Sequence, residues 1–188
     1  TYIRPTSAFS TLGWFNDPML STLLRYDDVS LVSTVIHEVT HNTLYLPSQA
    51  SFNESYASFV GDRGAIEYFC GIEGEEGPRC QEARRRWHDD VIFGTFLGEL
   101  IADLDDRLAL REKVFEEAKQ RFIREVEPRM SVRNYRNFTR ARLNNAQLIA
   151  WRIYYDRLEL FERAYQRFPD LPTAVHAIRE AAEANPND

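Results

Sequence analysis

The stretch that decides the fold is DDVSLVSTVIHEVTHNTLYLP, residues 27–47. Asp27 and Asp28 offer a helix N-cap, and the residues that follow return at helical spacing, so that Val32, Val35, Ile36, Val39 and Thr43 share a face. The spacing predicts a helix over 29–45, stopped by Pro47, because the residue before a proline is pushed out of the α region. Inside that helix lies His37-Glu38-Val39-Thr40-His41. Histidines four apart leave a helix on one side with Cβ atoms about 5 to 6 Å apart, so both imidazoles reach one tetrahedral metal ion. Glu38 stands about 100° round the helix from His37. That keeps it off the metal and within reach of a water at the open coordination position, where a general base belongs.

A catalytic zinc takes three protein ligands and leaves the fourth position to water. Glu54 is the candidate for the third. It follows His41 on the next predicted helix, and the turn at Pro47 folds that helix back across the first. Ser51-x-x-Glu54 also matches a capping box, in which the glutamate reaches back to the Ser51 backbone instead. Asp62 and Glu67, further along the same helix, are fallback ligands or carboxylates that orient a ligating histidine. His88 and His176 have no partner at ligand spacing and read as structural, and Arg84-Arg85-Arg86 reads as a solvated helix face.

Outward from this motif, the chain has 188 residues, 44% of them hydrophobic, enough apolar material for a core and too much for a disordered chain. The length suits one domain over 1–188. Lys plus Arg is 23 against 29 for Asp plus Glu, a net charge of −6, which argues against a nucleic-acid partner. No run approaches the roughly 18 apolar residues of a membrane span. The chain opens on Thr1 with no basic segment leading into an apolar one, and so reads as processed or truncated.

Pro5 with β-branched and small polar residues over 1–14 predicts an extended segment or edge strand, and a brief helical stretch follows Asn16-Asp17-Pro18. A second helix is expected from Ser51 towards Phe69. Three glycines and Pro78 then make 71–79 a loop, with Cys70 and Cys80 at its mouth. They are placed either to close it as a disulfide or to remain two thiols; a zinc ribbon is excluded, since no second cysteine pair exists. Amphipathic helices are predicted over 81–127, with Gly94 and Gly98 as a kink or a point of close approach and Pro128 as the stop. A third long helix over 135–168 is closed by Pro169, and a last one covers 172–184. The fold class is therefore mainly α, made α+β by a small edge strand or sheet: an HExxH helix, that strand or sheet, and long amphipathic helices.

Four pieces of the chain, Phe9-Ser10-Thr11-Leu12-Gly13-Trp14-Phe15 with Asp17-Pro18, the HEVTH helix, Phe52-Asn53-Glu54-Ser55 with Ala57 and Gly61, and Leu143-Asn144-Asn145-Ala146 with Tyr154, stand out together by their order and spacing. In these the chain resembles the predicted bacterial zinc aminopeptidases, which implies a fold of the α+β zincin kind. The resemblance implies a gluzincin-like peptidase holding one zinc per chain on His37, His41 and Glu54, with Glu38 as base. It points to Tyr154 as a phenol donor to the oxyanion, and Asn144 and Asn145, on the same predicted helix, offer amides to a peptide substrate's backbone. Tyr56 is a second phenol, and residues near 10–12 are placed to pair with substrate as an added strand. Family members are about twice as long and many carry a lipoprotein-type signal. This chain then matches the C-terminal half of a precursor, its missing half or a second chain completes the fold, and the periplasm or cell envelope is the expected compartment. The glycine-rich amine-binding motif of other gluzincin aminopeptidases is not in the sequence; Asp17, Asp62 and Glu67 are the carboxylates open to that role. Two other readings share these residues: a non-catalytic helical scaffold or zinc-binding interaction protein that keeps the motif, and a zinc hydrolase of a non-peptide ester or amide.

Overall fold

The computed structural model describes residue 11 and residues 20–132 and 135–185. Among these residues a short 3-10 turn, Ser21–Arg25, leads into eight α-helices: α1 (Asp28–Thr40), α2 (Ala50–Glu73), α3 (Pro78–Asp106), α4 (Arg111–Arg121), α5 (Arg136–Arg140), α6 (Asn145–Tyr155), α7 (Leu158–Tyr165) and α8 (Leu171–Ala184). The mainly helical class is observed. No strand occurs among the described residues. The expected edge strand and the short helix after Asp17 fall, apart from Thr11 and the residues from Leu20 on, outside them.

Helix α1 begins as its sequence dictates. The Asp27 carboxylate accepts the Ser30 amide at 3.0 Å and the Ser30 hydroxyl at 2.9 Å, satisfying donors that the first turn leaves orphaned. Its end differs from expectation. The helix stops at Thr40, five residues short of 45, and Pro47 is not the cause. The amides of Asn42 and Thr43 turn back only three residues, to Val39 and Thr40, and tighten the last turn. The chain then peels away so that Leu44 and Leu46 enter the core. Buried Asn53 secures that exit: it accepts the Leu46 amide at 2.9 Å and donates to the Leu46 carbonyl at 2.7 Å.

Helix α2 runs through Gly71 to Glu73, past the predicted end at Phe69, so the loop at 71–79 shrinks to Gly74–Gly77. A helix tolerates single glycines at about 1 kcal/mol each relative to alanine. The turn needs its glycine at Gly74, where φ is +78°. Cys70 and Cys80 are joined as a disulfide across this hairpin, with Cα atoms 4.7 Å apart.

The 29 residues of α3 form a rod of about 43 Å, long enough to serve two apolar clusters. At its N-terminal half Cys80, Ala83 and Trp87 pack with Tyr56, Phe59, Leu158 and Leu171. At its C-terminal half Phe93, Phe96, Leu97, Leu100 and Leu104 meet Phe122, Phe138, Leu143 and Leu148. Of the two readings of Gly94, close approach is the one realised: a Cβ there would lie 2.6 Å from the Tyr155 carbonyl oxygen, while one at Gly98 would meet open space.

Beyond α3, two expectations are corrected. The run 81–127 is interrupted by a 3-10 turn, Leu108–Leu110, and ends in a π-helical turn, Phe122–Val126, and a 3-10 turn that contains Pro128. The helix expected over 135–168 is three helices. Asn144 caps α6 by accepting the Gln147 amide at 3.0 Å, and Arg157 enters α7 with φ +53°. Each break re-aims the apolar face, Phe138 and Leu148 into one cluster and Leu158 and Phe161 into or against the other. Periodicity is blind to such breaks, because the apolar pattern resumes in phase. The last helix is close to its expected range.

Replacing Asn53 with alanine leaves the Leu46 amide without its partner and the Leu46 carbonyl with the Gln49 amide at 3.2 Å, at a cost of about 1 to 3 kcal/mol. Urea unfolding of Asn53→Ala checks this; a loss below about 0.5 kcal/mol would mean the exit from α1 is held by something else.

Candidate metal centre

Helices α1 and α2 pack along their length, and the facing sides carry the three donors read from the sequence. Glu54 Oε2 lies 3.2 Å from His37 Nε2 and 3.7 Å from His41 Nε2. The imidazole centroids are 5.0 Å apart with planes at 83°. His41 is buried, and Glu54 keeps 27% of its side-chain surface, so the centre opens on the glutamate side. The capping box does not form: Ser51 lies inside α2, behind Gln49 at the cap position, and its carbonyl accepts the Ser55 hydroxyl.

Zinc bonds of about 2.0 to 2.1 Å set tetrahedral donors about 3.3 to 3.4 Å apart. One donor atom from each of His37, His41 and Glu54 lies within 4.8 Å of the others, so two imidazoles and a carboxylate fit a tetrahedral divalent ion with little adjustment. Burial, and then the neighbouring His37, pull the His41 imidazole below its ordinary value, with Glu54 pulling weakly the other way. A neutral imidazole is the form that ligates.

Both fallback carboxylates are engaged elsewhere. Asp62 accepts the Ser33 hydroxyl at 2.6 Å. Glu67 receives the Leu171 amide at 3.1 Å, at the start of α8, and the Tyr165 hydroxyl at 3.4 Å. Asp17 is outside the described residues. The cysteines and Glu75 also cluster, but their sulfurs are spent on the disulfide. His88 and His176 sit on the surface beside Asp89 and Glu180, and Arg84 and Arg86 pair with Glu75, Glu82 and Asp27.

Tyr154 comes to the centre from α6: its ring lies over His37, with centroids 6.1 Å apart and planes at 29°. Tyr56 does not. It is wholly buried, stacked on Phe52 at 5.7 Å with its hydroxyl 3.5 Å from the Val175 carbonyl, and burial pushes its phenol up to about 12. Asn144 and Asn145 stand at the other end of α6, about 14 Å of helix from Tyr154. There they line a cavity of about 420 Å³ with Arg111, Glu112, Phe115 and Arg142, to which none of the three donors contributes.

A family model described as "Putative aminopeptidase" matches residues 1–187. The chain belongs to that family. No curated protein and no solved structure matches it. The name of this aminopeptidase family suggests a peptidase, and the match reaches from end to end of the chain, over every site residue named above.

Sequence reasoning did not single out Ser33 or a role for Gly61, both of which lie in the α1–α2 contact beside His37. The available signal was the Gly61-x-x-Gly64 spacing, which puts two glycines on one helical face.

In the metal-free protein, the ring protons of His41 should titrate with a midpoint below 6.5. Two-dimensional NMR of the histidine Cε1–H resonances measures it, and a midpoint at or above 6.5 contradicts the burial argument.

Proposed function

We propose that the chain is a zinc-dependent metallopeptidase, an aminopeptidase in keeping with its family, that hydrolyses peptide bonds with Glu38 as general base. The observation that carries this reading is the convergence within 4.8 Å of His37 and His41, from the helix that also presents Glu38, with Glu54 from the next helix. His37, His41 and Glu54 would hold one zinc per chain. A zinc in such a site lowers the pKa of a water in its fourth position towards about 7 and polarises the scissile carbonyl.

The protein's own groups do the rest. Glu38 takes the proton of the attacking water and passes it to the leaving amine, so one carboxylate serves as base and then as acid. Tyr154, seated over His37, donates its phenol hydrogen to the oxyanion as the carbonyl becomes tetrahedral. Its ring also walls the cleft from α6. Asn144 and Asn145, at the other end of α6, bind substrate at a distance from the bond that breaks.

The partner is a peptide, which reaches the centre from the side on which Glu54 is exposed. The Cys70–Cys80 disulfide supports an oxidising compartment, in keeping with the bacterial periplasm or cell envelope. Among the described residues no helix is long and apolar enough to cross a membrane.

Glu38→Gln should lower peptide turnover by about two to four orders of magnitude while zinc content, read by elemental mass spectrometry, stays near that of the wild type. Turnover unchanged by this substitution would remove Glu38 from the role of base, and a zinc-loaded wild type that turns over no peptide would favour the scaffold reading. Tyr154→Phe should lower kcat by about 10²- to 10³-fold with KM little changed; an effect on KM alone would make the tyrosine a wall and not a donor. A panel of peptide, ester and amide substrates separates a peptidase from a hydrolase of other bonds.

A further inference from the structure

We propose that Gly61 is a positioning residue for the metal centre. The missing side chain at that position sets how closely α2 approaches α1, and so sets the separation of Glu54 from the two histidines. The inference rests on the metal reading above and concerns how the ligand set is held.

A metal site is exacting about distance, with ligand bonds held to about 0.2 Å. Here the ligands come from two helices, and the separation of packed helices follows from the side chains at their contact, over a range of about 8 to 10 Å. The contact at the level of His37 is Gly61. A Cβ there would lie 2.7 Å from the Ser33 carbonyl oxygen, 3.2 Å from His37 Cβ and 3.3 Å from the His37 amide nitrogen. Two of these three atoms are backbone. They cannot rotate aside, so a methyl group at this position must move α1 bodily, and His37 moves with it.

Gly64, one turn on, gives the comparison. A Cβ there would lie 2.8 Å from Ile36 Cδ1 and 3.2 Å from its Cγ2, and the three nearest atoms all belong to that one side chain. The tip of a side chain yields more readily than a helix backbone does. The two glycines therefore look alike in sequence and differ in what stands opposite.

A second contact fixes the same level of the helix pair. Ser33 Oγ donates to Asp62 Oδ1 at 2.6 Å, joining the residue one turn before His37 to the residue next to Gly61. Gly61 sets the approach of the helices, and the Ser33–Asp62 bond opposes sliding of one along the other.

The test is zinc affinity, by competition with a chromophoric chelator, on the wild type, Gly61→Ala, Gly64→Ala and Ser33→Ala. The visible spectrum of the cobalt-substituted protein reports ligand geometry, and far-ultraviolet circular dichroism reports folding. Gly61→Ala should weaken zinc binding by about 10- to 100-fold, the range seen for groups that orient ligands, and alter the cobalt bands while helicity holds. Ser33→Ala should weaken it several-fold, and Gly64→Ala should stay within about threefold of the wild type, a spread smaller than orienting groups produce. Wild-type affinity in Gly61→Ala overturns the inference, as does an equal loss in Gly64→Ala. If Gly61→Ala does not fold, Ser33→Ala decides, and wild-type affinity with unaltered cobalt bands there overturns it. A wild type that binds no zinc sinks the metal reading itself, a result distinct from all of these.

Discussion

Three donor atoms carried on two helices hold their mutual distances to a few tenths of an ångström only where the helices cannot shift. That constraint is met here by the contact between α1 and α2, in which backbone meets backbone at Gly61 and Ser33 binds Asp62. Much of the remaining structure is support for those two helices. Asn53, one residue before Glu54, holds the segment at Leu46 that leaves α1, so the start of α2 and the connection from α1 are tied by the same side chain. The aromatic cluster of Phe52, Tyr56, Phe59 and Phe161 then backs the face of α2 turned away from the histidines.

Charge extends the support to α3 and α7. Arg86 reaches Asp27 at 2.9 Å and Ser30 at 2.7 Å, and Arg79 reaches Asp28 at 2.7 Å, so two arginines of α3 grip the first turn of α1. Burial alone would raise Asp27, but the Ser30 amide and the Arg86 guanidinium outweigh it and bring the carboxyl down to about 2. The group therefore stabilises the fold fully above its ordinary 3.8, and that contribution fades as the pH falls towards 2. Exposed pairs of this kind are individually weak. Glu162 is better shielded: it accepts the Trp87 indole at 2.7 Å and pairs with Arg63, joining α2, α3 and α7 through one carboxylate.

How much of this was legible in the sequence varies with the range of the interaction. The HExxH pair is local, and a helix brings His37 and His41 together by its own geometry, so it could be read directly. Glu54 required a turn of the right length between two helices, which Pro47 signalled, though for the wrong reason: the helix had already ended at Thr40. Tyr154 is more than a hundred residues from His37, and only resemblance to a family pointed to it. The breaks at Asn144 and Arg157 were hidden, since an amphipathic pattern that resumes in phase looks continuous. Gly61 and Gly64 were indistinguishable, because what matters is the atom opposite each, and that atom is on another helix.

The hairpin between α2 and α3 has a consequence for the integrity of the chain. Its four-residue turn, Gly74–Gly77, has Glu75 and Glu76 exposed at the tip, the kind of place where a protease cuts a folded protein first. The Cys70–Cys80 bond spans that turn. A cut there would leave two fragments joined covalently at the point of the break, with α2 still paired to α3 and His37, His41 and Glu54 all retained. The protein would run as one species until reduced, and a molecule nicked in a protease-rich surrounding would keep its centre assembled.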